Sequence, residues 1–355
     1  MVTVNLKEYN AKRRRKLTIV LVILIVAVFA LMIFSIAQTR FHTTFLEAWE
    51  VIYHRIMNIP PVGYDQIMRD HFVFNEDIPR ALCAIFVGAS LSVCGAVMQS
   101  MTRNPLTDPY TMGLSSAALL GVVIAIALEI CIIPGIIGND AAIVNAFVFT
   151  LIPAAVIIFL TTFKKLSSTM MVLTGIGIMY MFTSISTFIR INVEAEKLEE
   201  IYRWTVGSMS MVTWDAVLPT LAVMILMVVA FTLLANRINV LALGDRPAQS
   251  LGVNPIRMRI VCLLLISVAV ATCVSFTGTI GFVGLVCPHI TRLITGNNNK
   301  VLIPFSALTG ALMLLLADTA VRMLPYGLPA GVITAVVGSP LFIYFLYRQR
   351  KIENF

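Results

Sequence analysis

The apolar stretches of this sequence contain very few side chains that could bind an ion or carry a proton. Asp318 stands four residues before Arg322, a spacing that brings both side chains to one face of a helix. One interpretation is an i,i+4 ion pair near a helix end, and the other is that Arg322 docks another protein. His289 is the single histidine within an apolar run. Proton-coupled transporters bury acidic residues or histidines along their path, so this scarcity argues against proton coupling.

Motifs for nucleotide binding and hydrolysis are also missing. The sequence contains no GxxxxGK[ST] loop, whose backbone amides would cradle phosphates, and no HExxH or GxSxG motif. The six cysteines lie within or at the edge of apolar runs without a CxxC pair, which favours small apolar fillers over disulfides or metal ligands. We therefore predict no catalytic residue, metal ligand or cofactor in this chain. If it moves a solute uphill, another protein must supply the energy.

The elements that carry these residues must lie in a membrane. Of the 355 residues, 59% are hydrophobic and 12% are charged, whereas soluble domains carry about 25% charged residues. So few charges cannot cover a soluble globule, which excludes a water-soluble enzyme and a disordered chain. The net charge of +8 indicates a membrane surface and not nucleic acid, because of where the charges lie along the chain.

Nine runs free of Asp, Glu, Lys and Arg approach the length of a membrane span, which is about 20 residues. The run 260–291 would form a helix of ~48 Å, so we divide it into two spans at about Phe276–Thr279. The sequence thus predicts an all-α polytopic membrane protein with about ten transmembrane helices. The other predicted spans are 17–39, 81–102, 109–128, 141–163, 166–189, 216–236, 301–317 and 323–347.

An even number of spans places both basic termini in the cytoplasm, as the enrichment of Lys and Arg in inner loops requires. With ten spans, the inner segments hold 18 of the 26 Lys and Arg residues and the outer segments hold 8. We expect a single transmembrane domain over residues 1–355. It has a basic cytoplasmic tail at 1–16, an external loop at 40–80 and a cytoplasmic segment at 237–259.

The cytoplasmic segment 237–259 has more predicted structure than a linker needs. Asp245 is placed to cap a short helix, and Gly252 is placed to end it with a positive φ. We expect Ala248 and Leu251 to be exposed on this helix. They would enter a groove of another protein or rest on lipid.

Pairs of Asn or Asp with Pro mark turns or helix starts on the inner side. Asn104-Pro105 and Asp108-Pro109 follow the second span, and Asn254-Pro255 precedes the seventh. A further inner turn occupies 164–169. Each of these could be a well-formed turn without another role.

A second external segment occupies residues 190–215. Residues Asn192–Trp204 are predicted to form a short helix that lies at the external surface of the membrane. Trp204 and Trp214 are expected to anchor this segment at the level of the lipid headgroups.

Several motifs in a fixed order resemble the permease subunits of type II ABC importers, the FecCD-like family that takes up iron–siderophore complexes, haem and cobalamin. The resemblance covers nearly the whole chain from residue 78 onward, whereas residues 1–77 are not diagnostic. The matching stretches are Ile78-Pro79-Arg80, Val87 to Leu91, Gly95 to Gln99, Asn104 to Gly113, Leu243 to Gly252, Gly281 to Arg292, Leu316 to Asp318 and Leu328 to Pro340. Their number and order make the resemblance specific.

The resemblance implies ten helices in one permease domain, in agreement with the independent count of spans. It implies a dimer with a second permease subunit, identical or different, two cytoplasmic ATPase subunits and an extracytoplasmic solute-binding protein. ATP and Mg would be bound by the ATPases, so this chain would be no enzyme. The substrate would be an iron chelate, haem or cobalamin, and the chain would lie in the lipid of the plasma (inner) membrane without contact with nucleic acid.

The same resemblance assigns inner residues to two functions. The positions that match the coupling helix, which docks on the ATPase, are Gly244, Asp245, Ala248, Leu251 and Gly252. The positions that match the inner gate of the pathway are Asn104, Leu106, Ser167 and Ser168.

On the outer side, Arg80 and Arg322 match arginines that the family presents to glutamates of the binding protein. Asp77 stands where the family often has a further arginine. This departure implies a binding protein with altered charges. The family also relates early and late helices by pseudo-symmetry, and here Gly95 and Gly284 each precede an arginine by eight residues.

The fifth span carries a stripe of small or weakly polar residues at helical spacing. The stripe consists of Thr174, Gly177, Met181, Ser184 and Phe188. Such a stripe is typical of helix packing in membranes. The resemblance implies instead that it lines the pathway at the dimer axis, and the sequence leaves both interpretations open.

Two other functions fit the same pattern of spans. One is a secondary transporter with broken helices and no ATPase partner, and the other is a membrane scaffold or assembly subunit. A neighbouring gene for an ATPase and one for a binding protein would favour the importer.

Overall fold

The computed structural model describes residues 6–38, 44–164, 166–324 and 328–353, and within them the chain is helical without strands. A π-helix at Phe72–Asp77 joins α3 to α4, and short 3₁₀ turns lie at Pro109–Met112 and Met209–Met211. The α-helices are α1 Leu6–Ile36, α2 Phe45–Ile56, α3 Tyr64–His71, α4 Ile78–Thr102, α5 Leu114–Ala127, α6 Gly138–Lys164, α7 Ser168–Arg190, α8 Ala195–Val206, α9 Trp214–Leu241, α10 Asp245–Ser250, α11 Pro255–Thr277, α12 Val283–Thr295, α13 Asn299–Met323 and α14 Ala330–Glu353.

Each of the ten predicted spans has a helix at its place. Among the described residues, seven helical stretches are long and apolar enough to cross a membrane: Ala11–Ile36, Tyr64–Thr102, Gly138–Lys164, Ser168–Arg190, Trp214–Leu241, Pro255–Thr277 and Asn299–Met323. The counterparts α5, α12 and α14 contain shorter apolar helices. The crossing of all ten and the cytoplasmic position of both ends stay predictions.

The bounds of the first and the last helix differ from those of the corresponding predicted spans. The basic residues 12–16 of the predicted tail belong to α1, since the helix begins at Leu6. The predicted span 323–347 corresponds to α14, which begins at Ala330, while Met323 still belongs to α13. Residues 325–327 lie outside the described part of the chain.

The helix α4 lies at the centre of the bundle. It packs on α9, α11, α12 and α13, and nearly all of its side chains are buried. The backbones touch at two glycine pairs. A Cβ on Gly95 would overlap the carbonyl of Gly284, and a Cβ on Gly88 would overlap the carbonyl of Gly310. Small residues allow this approach, because dispersion forces between closely packed backbones drive helix association in lipid.

The division of the run 260–291 into two helices is confirmed. The first helix ends at Thr277, and the second begins at Val283. Gly278 stands at the break with a φ of +68°, and a Cβ there would overlap the carbonyl oxygen of Trp204. Only glycine meets both requirements at this corner.

The predicted external surface helix forms as α8, but its tryptophan does not anchor it at a membrane surface. Trp204 is only 3% exposed, since α8 packs on α5 and its last turn contacts the corner at Gly278. Trp214 is partly exposed, and its Nε1 donates to the carbonyl oxygen of Phe74 at 2.9 Å. The prediction for Trp204 was therefore wrong.

The segment predicted as an external loop contains a helical hairpin of α2 and α3 in its described part. Two ion pairs join α2 to α3: Arg55 with Asp70 at 2.6 Å, and Arg69 with Glu47 at 2.6 Å. Residues 39–43 lie outside the described part.

Candidate functional site

The helix α10 is fixed to α11 by an ion pair. Both terminal nitrogens of Arg259 donate to the Asp245 carboxylate, at 3.1 and 2.5 Å. Arg259 is buried, and Asp245 lies in the first turn of α10, after Gly244 at the N-cap. Asp245 thus does not cap the helix as predicted. It holds the short helix in one place against a transmembrane helix.

The exposed face of α10 differs from the prediction. Ala248 is 0% exposed, so it is a packing residue and not a contact for another protein. Ala248 is buried because α10 turns this side chain towards the helix bundle, and the ion pair of Asp245 with Arg259 attaches α10 to that bundle. Leu251 is 61% exposed, as predicted, and Leu243 at the other end of the segment is exposed to the same extent.

The end of α10 is closed by a left-handed residue. Gly252 has a φ of +78°, as the sequence predicts. Its N–H donates to Gln249 O at 3.0 Å, and the next N–H, of Val253, donates to Ala248 O at 2.9 Å. Asn254 then caps α11 by accepting the N–H of Arg257 at 3.1 Å.

The turn after α4 is built from short-range hydrogen bonds. Arg103 ends α4 in the left-handed conformation, with a φ of +55°. Asn104 Oδ1 accepts the N–H of Leu106 at 2.9 Å, and Asp108 Oδ1 accepts the N–H of Thr111 at 2.9 Å. Leu106 is half exposed. Both Asx-Pro pairs therefore form the turns that the sequence predicts.

The predicted gate residues on the next inner turn have different surroundings. Ser167 is exposed and accepts the N–H of Met170 at 3.4 Å, whereas Ser168 is buried. The helix that follows packs on the 3₁₀ turn 109–112, where Gly175 lies against Met112. The structure thus brings α7 close to the turn that follows Asn104 and Leu106. Lys165 lies outside the described residues.

The stripe on α7 does not pack against the rest of this chain. A Cβ added to Gly177 would have no other atom within 4 Å. Met181 and Ser184 are exposed, and Thr174 is partly buried. Phe188 is exposed as well. The packing face of α7 is a different set of residues: Met171, Gly175, Ile178, Phe182 and Ser186. Packing within the chain therefore does not explain the stripe.

Four charged residues form a buried ion cluster at the start of α4 and the end of α13. Arg80 contacts Asp318 at 2.7 Å, and Arg322 contacts Asp318 at 3.0 Å and Asp77 at 2.8 Å. Arg322 also donates to the carbonyl oxygen of Ser35 at 3.2 Å, which adds the end of α1. The i,i+4 pair of Asp318 with Arg322 is the one contact here that the sequence predicts.

The docking role expected for Arg80 and Arg322 stays a prediction, and in this structure both arginines are paired within the chain. Both guanidinium groups are buried, with the Arg322 side chain only 2% exposed. A buried guanidinium needs a carboxylate partner, because an uncompensated buried charge costs several kcal/mol. Asp77 supplies that partner from within the chain. It therefore does not require altered charges on a binding protein.

The cysteines and the acidic residues form no metal site in the part of the chain that the structure describes. All six cysteines are free thiols, and five of them are buried. No group of three Asp, Glu, His or Cys side chains lies close enough to hold a metal ion.

Known proteins resemble this chain over most of its length. The sequence model of the FecCD transport family matches residues 10–348. An iron chelatin transport system permease protein of Helicobacter pylori strain J99 is 37% identical over 298 residues, which cover 80% of this chain and 89% of the relative. A cobalamin import system permease protein of Halobacterium salinarum is 36% identical, covering 78% of this chain and 73% of the relative. A hemin transport system permease protein of Yersinia pestis is 33% identical, covering 79% and 84%.

The fold also matches a solved structure. A structure described as an inward-facing conformation of a metal-chelate type ABC transporter aligns with a TM-score of 0.79 and 27% sequence identity. The alignment covers 93% of this chain and 99% of that chain.

Proposed function

Since this chain belongs to the FecCD transport family, we propose that it forms half of the translocation pathway of an ATP-driven importer, together with a second permease subunit. The chain is a permease of the ABC importer type and a multi-pass protein of the inner membrane. Permeases of this family are not enzymes, because the ATPase activity of such importers belongs to other subunits. The continuous family match over residues 10–348 carries this conclusion.

The substrate class of the proposal is an iron chelate, haem or cobalamin. The support is that relatives named for each of these three substrates are 33% to 37% identical to this chain. These solutes are bulky and rigid, and they arrive already chelated. None of the side chains in the stripe on α7 is charged. A pathway without fixed charges suits solutes of this kind.

The stripe on α7 is the proposed lining of the pathway. Its residues face away from the chain's own core, whereas the opposite face of the helix is buried. A second permease subunit that faced this stripe would enclose a channel between two copies of α7. The turn at Asn104 and Leu106, with Ser167 and Ser168, lies near the inner end of the same helix and is the proposed inner gate.

The cytoplasmic segment 237–259 is the proposed contact with the ATPase subunit. A force-bearing contact needs a rigid attachment, and the ion pair of Asp245 with buried Arg259 provides one. It also needs exposed apolar side chains, which are Leu243 and Leu251. Gly244 and Gly252 bound the helix with positive φ values and set its direction. Ala248 supports the helix from beneath.

An extracytoplasmic solute-binding protein remains part of the proposal, but Arg80 and Arg322 do not support it in this conformation. The secondary transporter with broken helices has no observation in its favour.

A purification of the tagged chain from its native membrane tests the proposed function. We expect two permease subunits and two ATPase subunits in native mass spectrometry, and an iron chelate, haem or cobalamin in the metal and ligand analysis of the complex with its binding protein. Gly177→Trp should abolish uptake of that solute while the complex still assembles, because the new ring would fill the pathway. Gly177→Ala serves as the matched control. Recovery of the chain without an ATPase would overturn the importer, and normal uptake by Gly177→Trp would overturn the pathway assignment.

A further inference from the structure

A basic pocket of about 400 Å³ lies between the ends of α4, α9 and α12. This end of the bundle is the one that the Lys and Arg pattern predicts to face the cytoplasm. Its polar lining includes Gln99, Ser100, Arg103, Asn104, His289 and Arg292. We call it the inner basic pocket. None of the residues that line it carries a carboxylate.

The Arg292 guanidinium in this pocket donates only to neutral groups. Its partners are Gln99 Oε1, Ala96 O at 3.1 Å and Ser100 Oγ at 3.3 Å. Arg103, at the end of α4, is exposed and lies beside Gly244. In the described part of the chain, neither arginine takes part in an ion pair.

The buried arginines elsewhere in the described chain each have an acidic partner. Arg80, Arg259 and Arg322 each have an aspartate oxygen within 3.0 Å. Arg292, which is partly buried, therefore carries a charge that no acidic side chain compensates, whereas the charge of the exposed Arg103 is solvated. A bound anion would supply the missing charge.

We propose that the inner basic pocket binds a phosphate group. Planar guanidinium groups match the tetrahedral oxygens of phosphate with paired donors. The Gln99 amide holds Arg292 in place by accepting from its guanidinium group, and Asn104 adds a further polar side chain to the lining. The phosphate comes from the headgroup of an anionic lipid or from a soluble phosphate, which present the same chemistry to the pocket.

The position of the pocket is one that anionic lipids use in other membrane proteins, since basic pockets between transmembrane helices on the cytoplasmic side hold their headgroups. The apolar groove of about 530 Å³ that Ile290 and Ile294 line lies on the far side of α12 from Arg292, since residues two apart on a helix point in nearly opposite directions. The groove therefore does not continue the pocket, and the choice of probe distinguishes a lipid from a soluble phosphate.

A competing account needs no ligand. Arg103 and Arg292 both lie at the C-terminal ends of helices, where the backbone carbonyls carry partial negative charge. If the helix ends alone compensate the two cations, added phosphate changes nothing. The two accounts therefore differ in a direct measurement.

The test measures thermal unfolding of the purified full chain in neutral detergent, with inorganic phosphate, with phosphatidylglycerol, or with phosphatidylcholine as the uncharged comparison, all at equal ionic strength. We expect phosphate or phosphatidylglycerol to raise the unfolding temperature and phosphatidylcholine to leave it unchanged. In Arg103→Gln and in Arg292→Gln, the apparent affinity for the effective probe should fall about tenfold or more, as the loss of a charge-assisted hydrogen bond implies. Arg257→Gln, an exposed arginine outside the pocket, should bind as the unchanged protein does.

Two further comparisons keep the proposal open to failure. Arg292 also joins α12 to α4, so Arg292→Gln could lose its fold, whereas Arg103 is exposed and its variant should fold normally. Stabilisation by phosphatidylglycerol but not by inorganic phosphate assigns the site to a lipid headgroup, and the reverse result assigns it to a soluble phosphate. No stabilisation by either phosphate probe, or equal loss in Arg257→Gln, would overturn the proposal.

Discussion

Arg322 and Asp77 are separated by 245 residues in the chain, yet the Arg322 guanidinium donates to the Asp77 carboxylate over 2.8 Å. This contact ties the end of α13 to the π-helix before α4. Together with Asp318 and Arg80 it makes an electrically neutral cluster, because two arginines meet two aspartates. The cluster joins the start of α4 to the end of α13, two helices that pack extensively on each other.

Asp318→Asn should lower the free energy of unfolding by about 3–5 kcal/mol. Asp318 is fully buried and is the carboxylate partner of Arg80, so the variant leaves the Arg80 charge uncompensated in the core, while Arg322 keeps Asp77. Asp77→Asn should cost less, because Asp318 still contacts Arg322. Denaturation in detergent, followed by tryptophan fluorescence, measures the order of the two variants.

The exposed pair of Glu199 with Arg203 provides the control for the ion cluster. Both side chains are mostly exposed, so Glu199→Gln should change stability by less than about 1 kcal/mol. If Asp318→Asn is as mild as Glu199→Gln, the cluster does not stabilise the bundle.

Gly95→Ala should prevent normal packing of α4 on α12. An added Cβ would overlap the Gly284 carbonyl, and this backbone has no flexible side chain that could move aside. Gly177→Ala adds the same methyl group to an apolar helix with no atom within 4 Å, so it should fold normally. Size-exclusion chromatography and thermal unfolding compare the two variants. Equal stability would show that the close contact of α4 with α12 is not required.

Leu251→Asp should weaken association with the ATPase subunit at least about tenfold while the chain keeps its fold. The side chain is 61% exposed at the end of α10, and a charge there would oppose burial in an apolar groove. Ala248→Asp should instead destabilise the chain, since it buries an unpaired charge. Co-purification of the ATPase reports the association.

Ile67→Asp in α3 is the control for this contact, because Ile67 is also exposed and lies in the hairpin that is predicted to be external. It should leave ATPase association unchanged. Normal association of the Leu251→Asp variant would remove α10 from the proposed contact.

Single cysteines should report the predicted orientation in the membrane. Ser250→Cys should react with an impermeant maleimide only after the membrane is opened, and Glu196→Cys should react in intact cells. Both positions are exposed. Cys131 must first be replaced, because it is the native cysteine that is only partly buried, whereas the other five are buried. Labelling of position 250 from outside would reverse the topology.

Local features of the sequence predict the long apolar helices of this protein, although not the helices α2 and α3 within the segment expected to be a loop. Apolar runs are long in the chain, and their lengths and flanking charges predict helices with little help from the rest of the fold. The break near Gly278, the capping of α11 by Asn254 and the positive φ of Gly252 were predicted for the same reason. Each depends on a few neighbouring residues and on backbone geometry, which are local.

Which faces of these helices are buried, and which charges meet, depends on how the helices pack together. Ala248 was expected at the surface and Trp204 at the lipid headgroups, but the packing of α10 and α8 on their neighbours buries both. Arg80 meets Asp318 across 238 residues, a separation that no local pattern can predict.

The inner basic pocket has the same origin, because α4 and α12 bring Arg103 and Arg292 together from distant parts of the chain. Helix formation in a membrane is governed by local hydropathy. The partner of a buried charge is governed by which helices approach, and that is settled by packing at residues such as Gly95 and Gly284.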